Sequence, residues 1–177
     1  MFIANWKMNG SKSMVTKWLR QFKLLVDKEN QANCVFCPPL CFLSDASTVI
    51  KDEGLNIRLG AQNIDPFTKS SLTGGINGSM LSELGCEYVI IGHSERREVF
   101  KEKNNMLLDK LKAASLEELK VIFCIGETLS EKESGQTLEV LTKQLQIIQK
   151  YSLNKIMIAY EPVWAIGSGR TASIKYI

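Results

Sequence analysis

The 177-residue chain has an ordinary globular composition, with 45% hydrophobic residues, 23% charged residues and a formal net charge of +3. This length is enough for one hydrophobic core. Acidic and basic residues alternate, which argues against a polybasic nucleic-acid or membrane surface. No apolar run approaches the roughly 18 residues that span a bilayer, and the first residues lack the pattern of a secretory signal peptide.

Strand-like and helix-like segments alternate along the chain. Short apolar runs predict six strands, at 2–7, 33–37, 56–61, 87–92, 119–124 and 155–160. Helical spacing or start and stop signals predict helices between them, at 12–29, from 44 to a stop at Gly54, at 79–84, at 104–114 and at 138–150. A polar, glycine-rich loop is expected at 65–78, between the third and fourth strands.

The predicted strands are apolar on both faces, as at 89–91 and 121–123. This pattern is typical of a parallel sheet that helices cover. It fits either an open doubly wound sheet or a (β/α) barrel. An eight-unit barrel typically needs about 250 residues, so residues 1–177 have room for about six βα units in one domain.

Polar side chains follow four of the predicted strands. Asn5 and Lys7 close the first strand, His93 the fourth and Glu161 the sixth, and Glu127 follows the fifth. In parallel α/β folds, ligands bind at the carboxyl ends of strands. Residues two apart on a strand share a face, so Asn5 and Lys7 are expected to point the same way.

Glu161 precedes Pro162, which favours an extended backbone at the carboxylate. Burial at a strand end disfavours the charged form and raises basicity, which suits proton abstraction from carbon. The alternative is an ion pair with a lysine, and Lys7 is the obvious partner. Gly167 and Gly169 follow, and glycines at a loop tip let backbone N–H groups approach a phosphate.

His93 is the single histidine. A lone histidine is usually structural, but this one leaves a buried strand and opens a polar turn. A hydrolase that uses the adjacent Ser94 is disfavoured, since no Gly-x-Ser-x-Gly motif occurs. Glu95 suits the start of a helix through the helix dipole, and Arg96 is expected to form an ion pair with Glu102.

The five cysteines are Cys34, Cys37, Cys41, Cys86 and Cys124, and most sit in or beside apolar runs. They predict buried thiols in a reducing cytoplasm. A redox or zinc pair at Cys34 and Cys37 is the alternative. One histidine and no second such pair argue against zinc, and the sequence contains no nucleotide-cofactor motif.

Four segments resemble the triosephosphate isomerase family in order and spacing, at 5–10, 92–97, 124–127 and 160–169. The resemblance implies an α/β fold, the TIM (β/α)8 barrel, here incomplete with about six βα units. It also implies an isomerase that interconverts dihydroxyacetone phosphate and D-glyceraldehyde 3-phosphate through an enediolate, without a metal or cofactor. This family is the standard example of such acid–base tuning.

The resemblance also assigns catalytic roles. Glu161 would be the general base that moves a proton between two carbons, and His93 the neutral electrophile that polarises the carbonyl oxygens. Lys7 would stabilise the negative substrate and the enediolate, while Asn5 orients the oxygens.

The remaining roles concern the lid and the dimer. Gly167 would offer a lid N–H to the phosphate, and Trp164 would lie at the lid hinge, with Glu95 and Glu127 in support. Thr73 would approach Asn5 of the partner subunit in the family's homodimer. Closing the lid would exclude water and protect the intermediate.

The family's last two βα units, with their phosphate-binding loops, have no counterpart in this sequence. Losing one preorganised donor typically costs roughly 3 kcal/mol of transition-state stabilisation. Little activity is therefore expected if these residues act alone. The alternative to an isomerase is a catalytically inactive truncated remnant that acts at most as an interaction module.

Overall fold

The structure is a computed structural model that describes residues 1–67, 71–149, 151, 153–166, 169 and 172–173. Its sheet has six parallel strands in chain order. They are β1 Phe2–Asn5, β2 Cys34–Cys37, β3 Arg58–Ala61, β4 Cys86–Ile91, β5 Lys120–Ile125 and β6 Ile156–Tyr160. A doubly wound sheet would reverse its strand order at a switch point. The simple 1-to-6 order is that of a barrel wall, which confirms the incomplete (β/α) barrel.

Helices connect successive strands. Those within the described residues are α1 Lys12–Leu25, α2 Lys28–Gln31, α3 Leu43–Asp52, α4 Gly78–Glu83, α5 Ser94–Glu98, α6 Asn104–Leu116, α7 Leu129–Glu133 and α8 Thr137–Leu145. Short 3-10 turns occupy Leu40–Phe42, Gln146–Ile148, Leu153–Lys155 and Val163–Ala165. No helix in this part of the chain is long and apolar enough to cross a membrane.

The predicted helix at 12–29 is wrong in its last four residues. Val26 adopts an extended conformation and ends α1. The Asp27 side chain then accepts a hydrogen bond from the Asn30 backbone N–H and caps the separate helix α2. A local cap therefore overrides the continuous apolar spacing.

The short helix α7 does not emerge from the sequence pattern. Thr128 and Glu131 form a capping box, in which each side chain pairs with the backbone N–H of the other residue. Such a box satisfies two orphan donors of a helix start. Five residues are too few for apolar periodicity to reveal the helix, so the Thr-x-x-Glu pattern is the signal that could have found it.

The inner strands β2 to β5 are buried on both faces, as predicted, whereas β1 and β6 are only partly buried. Helices cover one face through a large cluster that includes Leu19, Phe36, Leu107 and Phe123. The other face carries a smaller cluster, formed by Val35, Cys37, Tyr88, Ile90, Ile122 and Cys124. The carboxyl edge of the strands is thus the rim between two packed layers, and this rim carries the polar residues described next.

The five cysteines are free thiols, of which Cys37, Cys86 and Cys124 are buried and Cys41 is exposed. Cys34 is half-buried, and its thiol lies 3.6 Å from the carbonyl oxygen of Asn30. The redox or zinc alternative for Cys34 and Cys37 finds no support, because the first thiol faces a helix end and the second lies in the buried sheet face. Burial raises the pKa of Cys37 and of Cys86 to about 12.

Candidate active site

His93 and Glu161 meet at the carboxyl edge of the sheet. His93 Nε2 lies 3.3 Å from Glu161 Oε1, although the two residues follow β4 and β6 with β5 between them. The imidazole is almost fully buried, whereas about a quarter of the Glu161 side chain is exposed. A carboxylate and an imidazole are therefore held in contact, with the carboxylate open to an incoming molecule.

The backbone hydrogen bond to His93 indicates the tautomer that carries its proton on Nε2. His93 is the N-cap of α5, and its Nδ1 accepts a hydrogen bond of 3.3 Å from the backbone N–H of Glu95. An accepting Nδ1 cannot carry a proton.

Glu95 also approaches the ring with its side chain. Its Oε2 lies 3.4 Å from His93 Nδ1, a contact that by itself would favour a proton on Nδ1. However, half of this carboxylate is exposed, and its other oxygen pairs with Lys7 Nζ at 2.8 Å. Solvent and the ammonium group weaken its pull on the imidazole, so the backbone hydrogen bond decides the tautomer.

Lys7 lies outside β1, in a left-handed backbone conformation with φ of +52°. Strand β1 ends at Asn5, so the predicted strand alternation between Asn5 and Lys7 does not apply. Instead the Asn5 side chain turns back and accepts a hydrogen bond of 2.9 Å from the Lys7 backbone N–H. The alternative interpretation of Glu161, an ion pair with Lys7, finds no support, because Lys7 pairs with Glu95.

Gln62 stabilises this unusual conformation. Its Nε2 donates hydrogen bonds of 2.9 Å to the carbonyl oxygens of both Lys7 and Cys37. A non-glycine residue with positive φ costs of order 1 kcal/mol or more and persists where its surroundings fix it. Sequence reasoning missed Gln62, although it directly follows β3 and the strand-end rule could have found it.

Glu161 has one carboxylate oxygen without a conventional partner. Oε2 is buried and has no hydrogen-bond partner among the described residues. Cys124 is the neighbouring thiol, and burial, followed by the charge of Glu161, raises its pKa. Cys124 thus stays a neutral, weak donor. The Glu161 carboxylate therefore has few hydrogen-bond donors around it.

The Glu161 backbone rests on Gly126. A Cβ atom built on Gly126 would lie 1.8 Å from the Glu161 carbonyl oxygen and 2.7 Å from its carbonyl carbon. The Glu161 backbone N–H also donates to the Ile125 carbonyl at 2.7 Å. Only a residue without a side chain fits at position 126, a requirement that the sequence alone did not reveal.

Glu127 anchors the segment that follows Glu161. Its side chain is fully buried and accepts hydrogen bonds from the Tyr160 hydroxyl at 3.0 Å and from Trp164 Nε1 at 2.8 Å. The Glu127 backbone carbonyl accepts a further bond from Val163 N–H at 3.0 Å. Trp164 is therefore tied to the end of β5. Gly167, the predicted phosphate donor, lies outside the described residues.

Arg96 and Arg97 brace the turn after β4. Arg96 Nε lies 2.6 Å from Glu102 Oε1, which confirms the predicted ion pair, and Lys110 Nζ contacts the same oxygen. Burial lowers the pKa of Lys110, although Glu102 opposes this effect. Arg97 donates to the carbonyls of Gly92 and Cys124, and so ties β4 to β5.

Thr73 is exposed in a loop far along the chain from these residues. The loop is closed at its base, where Asp65 and Ile76 form a backbone hydrogen bond of 2.9 Å and a side-chain hydrogen bond of 2.8 Å. Leu72, next to Thr73, is half exposed.

Among the described residues, no cluster of histidine, cysteine and acidic side chains has the arrangement of a metal site.

A βα-barrel wall with a carboxylate and a histidine in contact at its carboxyl edge defines an acid–base enzyme of the TIM-barrel class. The family model described as triosephosphate isomerase matches residues 1–177. A triosephosphate isomerase of Dictyoglomus turgidum is 45% identical over 173 residues, which cover 96% of this chain and 69% of that protein. Those of Clostridium tetani and Fusobacterium nucleatum are 43% and 41% identical, with 67% and 68% of their lengths covered. The chain belongs to the triosephosphate isomerase family.

Proposed function

We propose that the chain interconverts dihydroxyacetone phosphate and D-glyceraldehyde 3-phosphate, a step of glycolysis and gluconeogenesis, with Glu161 as the base and His93 as the electrophile. The observation that carries this assignment is the 3.3 Å contact between His93 Nε2 and Glu161 Oε1. A proton acceptor and a hydrogen-bond donor that lie side by side can contact neighbouring atoms of one bound triose, which supports the proposal.

Glu161 removes a proton from the carbon next to the substrate carbonyl. The C–H electron pair becomes the double bond of an enediolate, and the carbonyl oxygen takes the negative charge. The Nε2–H group of His93 donates a hydrogen bond to that oxygen and relays a proton between the two oxygens. Glu161 then returns its proton to the neighbouring carbon, so the reaction needs no oxidant and no cofactor.

Lys7 supplies the positive charge that an anionic substrate and enediolate require. Its side chain is about one-third exposed, and the Glu95 carboxylate that pairs with it is half exposed. An entering anion can therefore compete for the ammonium group. Asn5 holds the backbone of Lys7, and Gly167 is proposed from the family resemblance to donate a lid N–H to the phosphate.

The purified chain, assayed at high enzyme concentration with glyceraldehyde 3-phosphate in D2O, tests this proposal. The high concentration allows a turnover reduced by the absent phosphate-binding loops to be measured, since Glu161 and His93 are both present. The product is expected to carry solvent deuterium at the carbon that Glu161 reprotonates. Glu161→Gln and His93→Gln are each expected to lower kcat between about 100-fold and 10,000-fold, the usual range for an acid–base group. Glu98→Gln is the matched control, because this exposed carboxylate lines the same cleft and is expected to leave kcat unchanged.

Absence of turnover in the unmodified chain would contradict the proposal and favour the non-catalytic remnant. Turnover that survives Glu161→Gln would keep an isomerase but reject Glu161 as its base. A product without deuterium would contradict the step in which the proton on Glu161 exchanges with solvent.

We further propose a cytoplasmic homodimer in which Thr73 approaches Asn5 of the partner subunit. The exposed Thr73 and the half-exposed apolar Leu72, carried on a loop with a closed base, support a protein contact. Sedimentation analysis is expected to give twice the monomer mass. Thr73→Arg is expected to yield monomers, whereas Ser134→Arg, on an exposed position elsewhere, is not. A monomeric unmodified chain would contradict this proposal.

A further inference from the structure

Gln144, in α8, forms two hydrogen bonds with a single residue of the site. Its Oε1 accepts from the Gly126 backbone N–H at 2.8 Å, and its Nε2 donates to the Gly126 carbonyl at 2.9 Å. The side-chain amide therefore satisfies both backbone groups of Gly126. Each such bond contributes about 1 kcal/mol net, and a lost partner leaves a half-buried group unsatisfied.

These two bonds take the place of backbone pairing at the carboxyl end of β5. Gly126 follows β5, and Ile125 and Glu127 on either side of it accept backbone bonds from the chain after β6. Alternate residues of a parallel strand direct their N–H and C=O groups to opposite sides, so Gly126 faces the β4 side. The backbone pairing between β4 and β5 ends at Ile91 and Phe123. Beyond that pair, the Gln144 side chain provides the hydrogen-bond partners of Gly126.

The Gly126 peptide in turn fixes Glu161. The Glu161 carbonyl oxygen lies 1.8 Å from the point where a Gly126 Cβ would be. The two chain segments therefore touch at this residue, and a rotation of the Gly126 peptide would displace the Glu161 backbone. Gln144 and Glu161 also line the same cleft of about 170 Å³.

We infer that Gln144 is a positioning residue for the catalytic base. It holds the Gly126 peptide, and through it keeps the Glu161 carboxylate 3.3 Å from His93 Nε2. The inference rests on the proposed isomerase function, and it assigns Gln144 no contact with substrate. Without Gln144 the base would sample positions too far from the carbon that it deprotonates.

The test compares kcat and KM of Gln144→Met with those of the unmodified chain, each well below its melting temperature. Methionine has nearly the same length and cannot form either bond. We expect kcat to fall about 10-fold to 100-fold, since a misplacement of about 1 Å can cost 100-fold. KM is expected to stay within about threefold, because binding by Lys7 is untouched. Gln146→Met, two residues away and exposed, is the matched control with unchanged kcat.

An unchanged kcat in Gln144→Met, alongside an active unmodified chain, would overturn this inference and leave the isomerase function standing. A lower melting temperature with unchanged kcat would show a purely structural role and also overturn it. An inactive unmodified chain would overturn the proposed function itself. If Gln144→Met fails to fold, Gln144→Asn tests the same point, because it keeps the amide but is one methylene too short to reach Gly126. A normal kcat in that variant would equally reject the inference.

Discussion

Replacing Gly126 by alanine would add a methyl group in the space that the Glu161 peptide occupies. The added carbon would lie 1.8 Å from the Glu161 carbonyl oxygen, whereas real Cβ contacts are essentially never below 3.0 Å. One of the two chain segments must therefore move by at least about 1.2 Å, the difference between these distances. Gly126 is not among the glycines with positive φ, so its requirement is for space and not for backbone freedom.

The size of this displacement predicts the effect on catalysis. A shift of about 1 Å in a catalytic group can cost about 100-fold in rate, which corresponds to about 2.7 kcal/mol of activation free energy. We expect kcat of Gly126→Ala to fall at least about 100-fold. The assay is steady-state isomerisation of glyceraldehyde 3-phosphate, with circular dichroism to establish that the variant is folded.

Gly135→Ala is the control for a general effect of alanine. Gly135 has a positive φ of +70°, and a Cβ atom added there would meet no atom within 4 Å. This substitution is expected to cost about 1 kcal/mol of stability through backbone strain and to leave kcat unchanged. A folded Gly126→Ala variant with kcat within about twofold of the unmodified chain would refute the argument that Gly126 sets the position of Glu161.

Two further predictions concern Gln62 and a buried thiol. Gln62→Met removes the hydrogen bonds that tie the left-handed backbone of Lys7 to Cys37, and we expect kcat/KM to fall about tenfold. An unchanged value would show that Lys7 keeps its conformation without Gln62. Burial raises the pKa of Cys37 from 9.0 to about 12, so between these pH values the unfolded thiol ionises while the folded thiol stays protonated. Unfolding free energy should then fall by about 1.4 kcal/mol per pH unit for this group. Urea titrations from about pH 8 to about pH 12 are expected to show that the unfolding free energy declines less steeply with pH in Cys37→Ala than in the unmodified chain. The exposed Cys41→Ala is expected to decline as the unmodified chain does, and equal slopes in Cys37→Ala and the unmodified chain would contradict this account.

The repeating elements could be predicted because each follows from local sequence. Apolar runs located all six strands to within about two residues, since burial on both faces demands such runs. The helix predictions were wrong where a short polar capping sequence determines the start of a helix. Asp27 caps a new helix inside an apolar periodic stretch, and the capping box at Thr128 starts a helix of five residues.

The site could be predicted only as far as strand ends define it. The strand-end rule pointed to Asn5, His93 and Glu161, because parallel strands expose their carboxyl ends at one edge. It could not predict that Lys7 leaves the strand with a positive φ, or that its ammonium pairs with Glu95. Those features depend on contacts between residues far apart in the chain.

The position of β5 explains why the catalytic pair needs its particular neighbours. His93 and Glu161 follow β4 and β6, which are separated by β5, and strands in a sheet lie about 4.8 Å apart. The two side chains must therefore approach each other across the end of β5, over a span of roughly two strand spacings. A bulky residue at that end would separate them. Gly126 leaves room for the Glu161 peptide to lie against β5, and the Cys124 thiol beside Glu161 is small and neutral. The contact between the two reacting groups thus requires small residues at the carboxyl end of β5, the strand that lies between them.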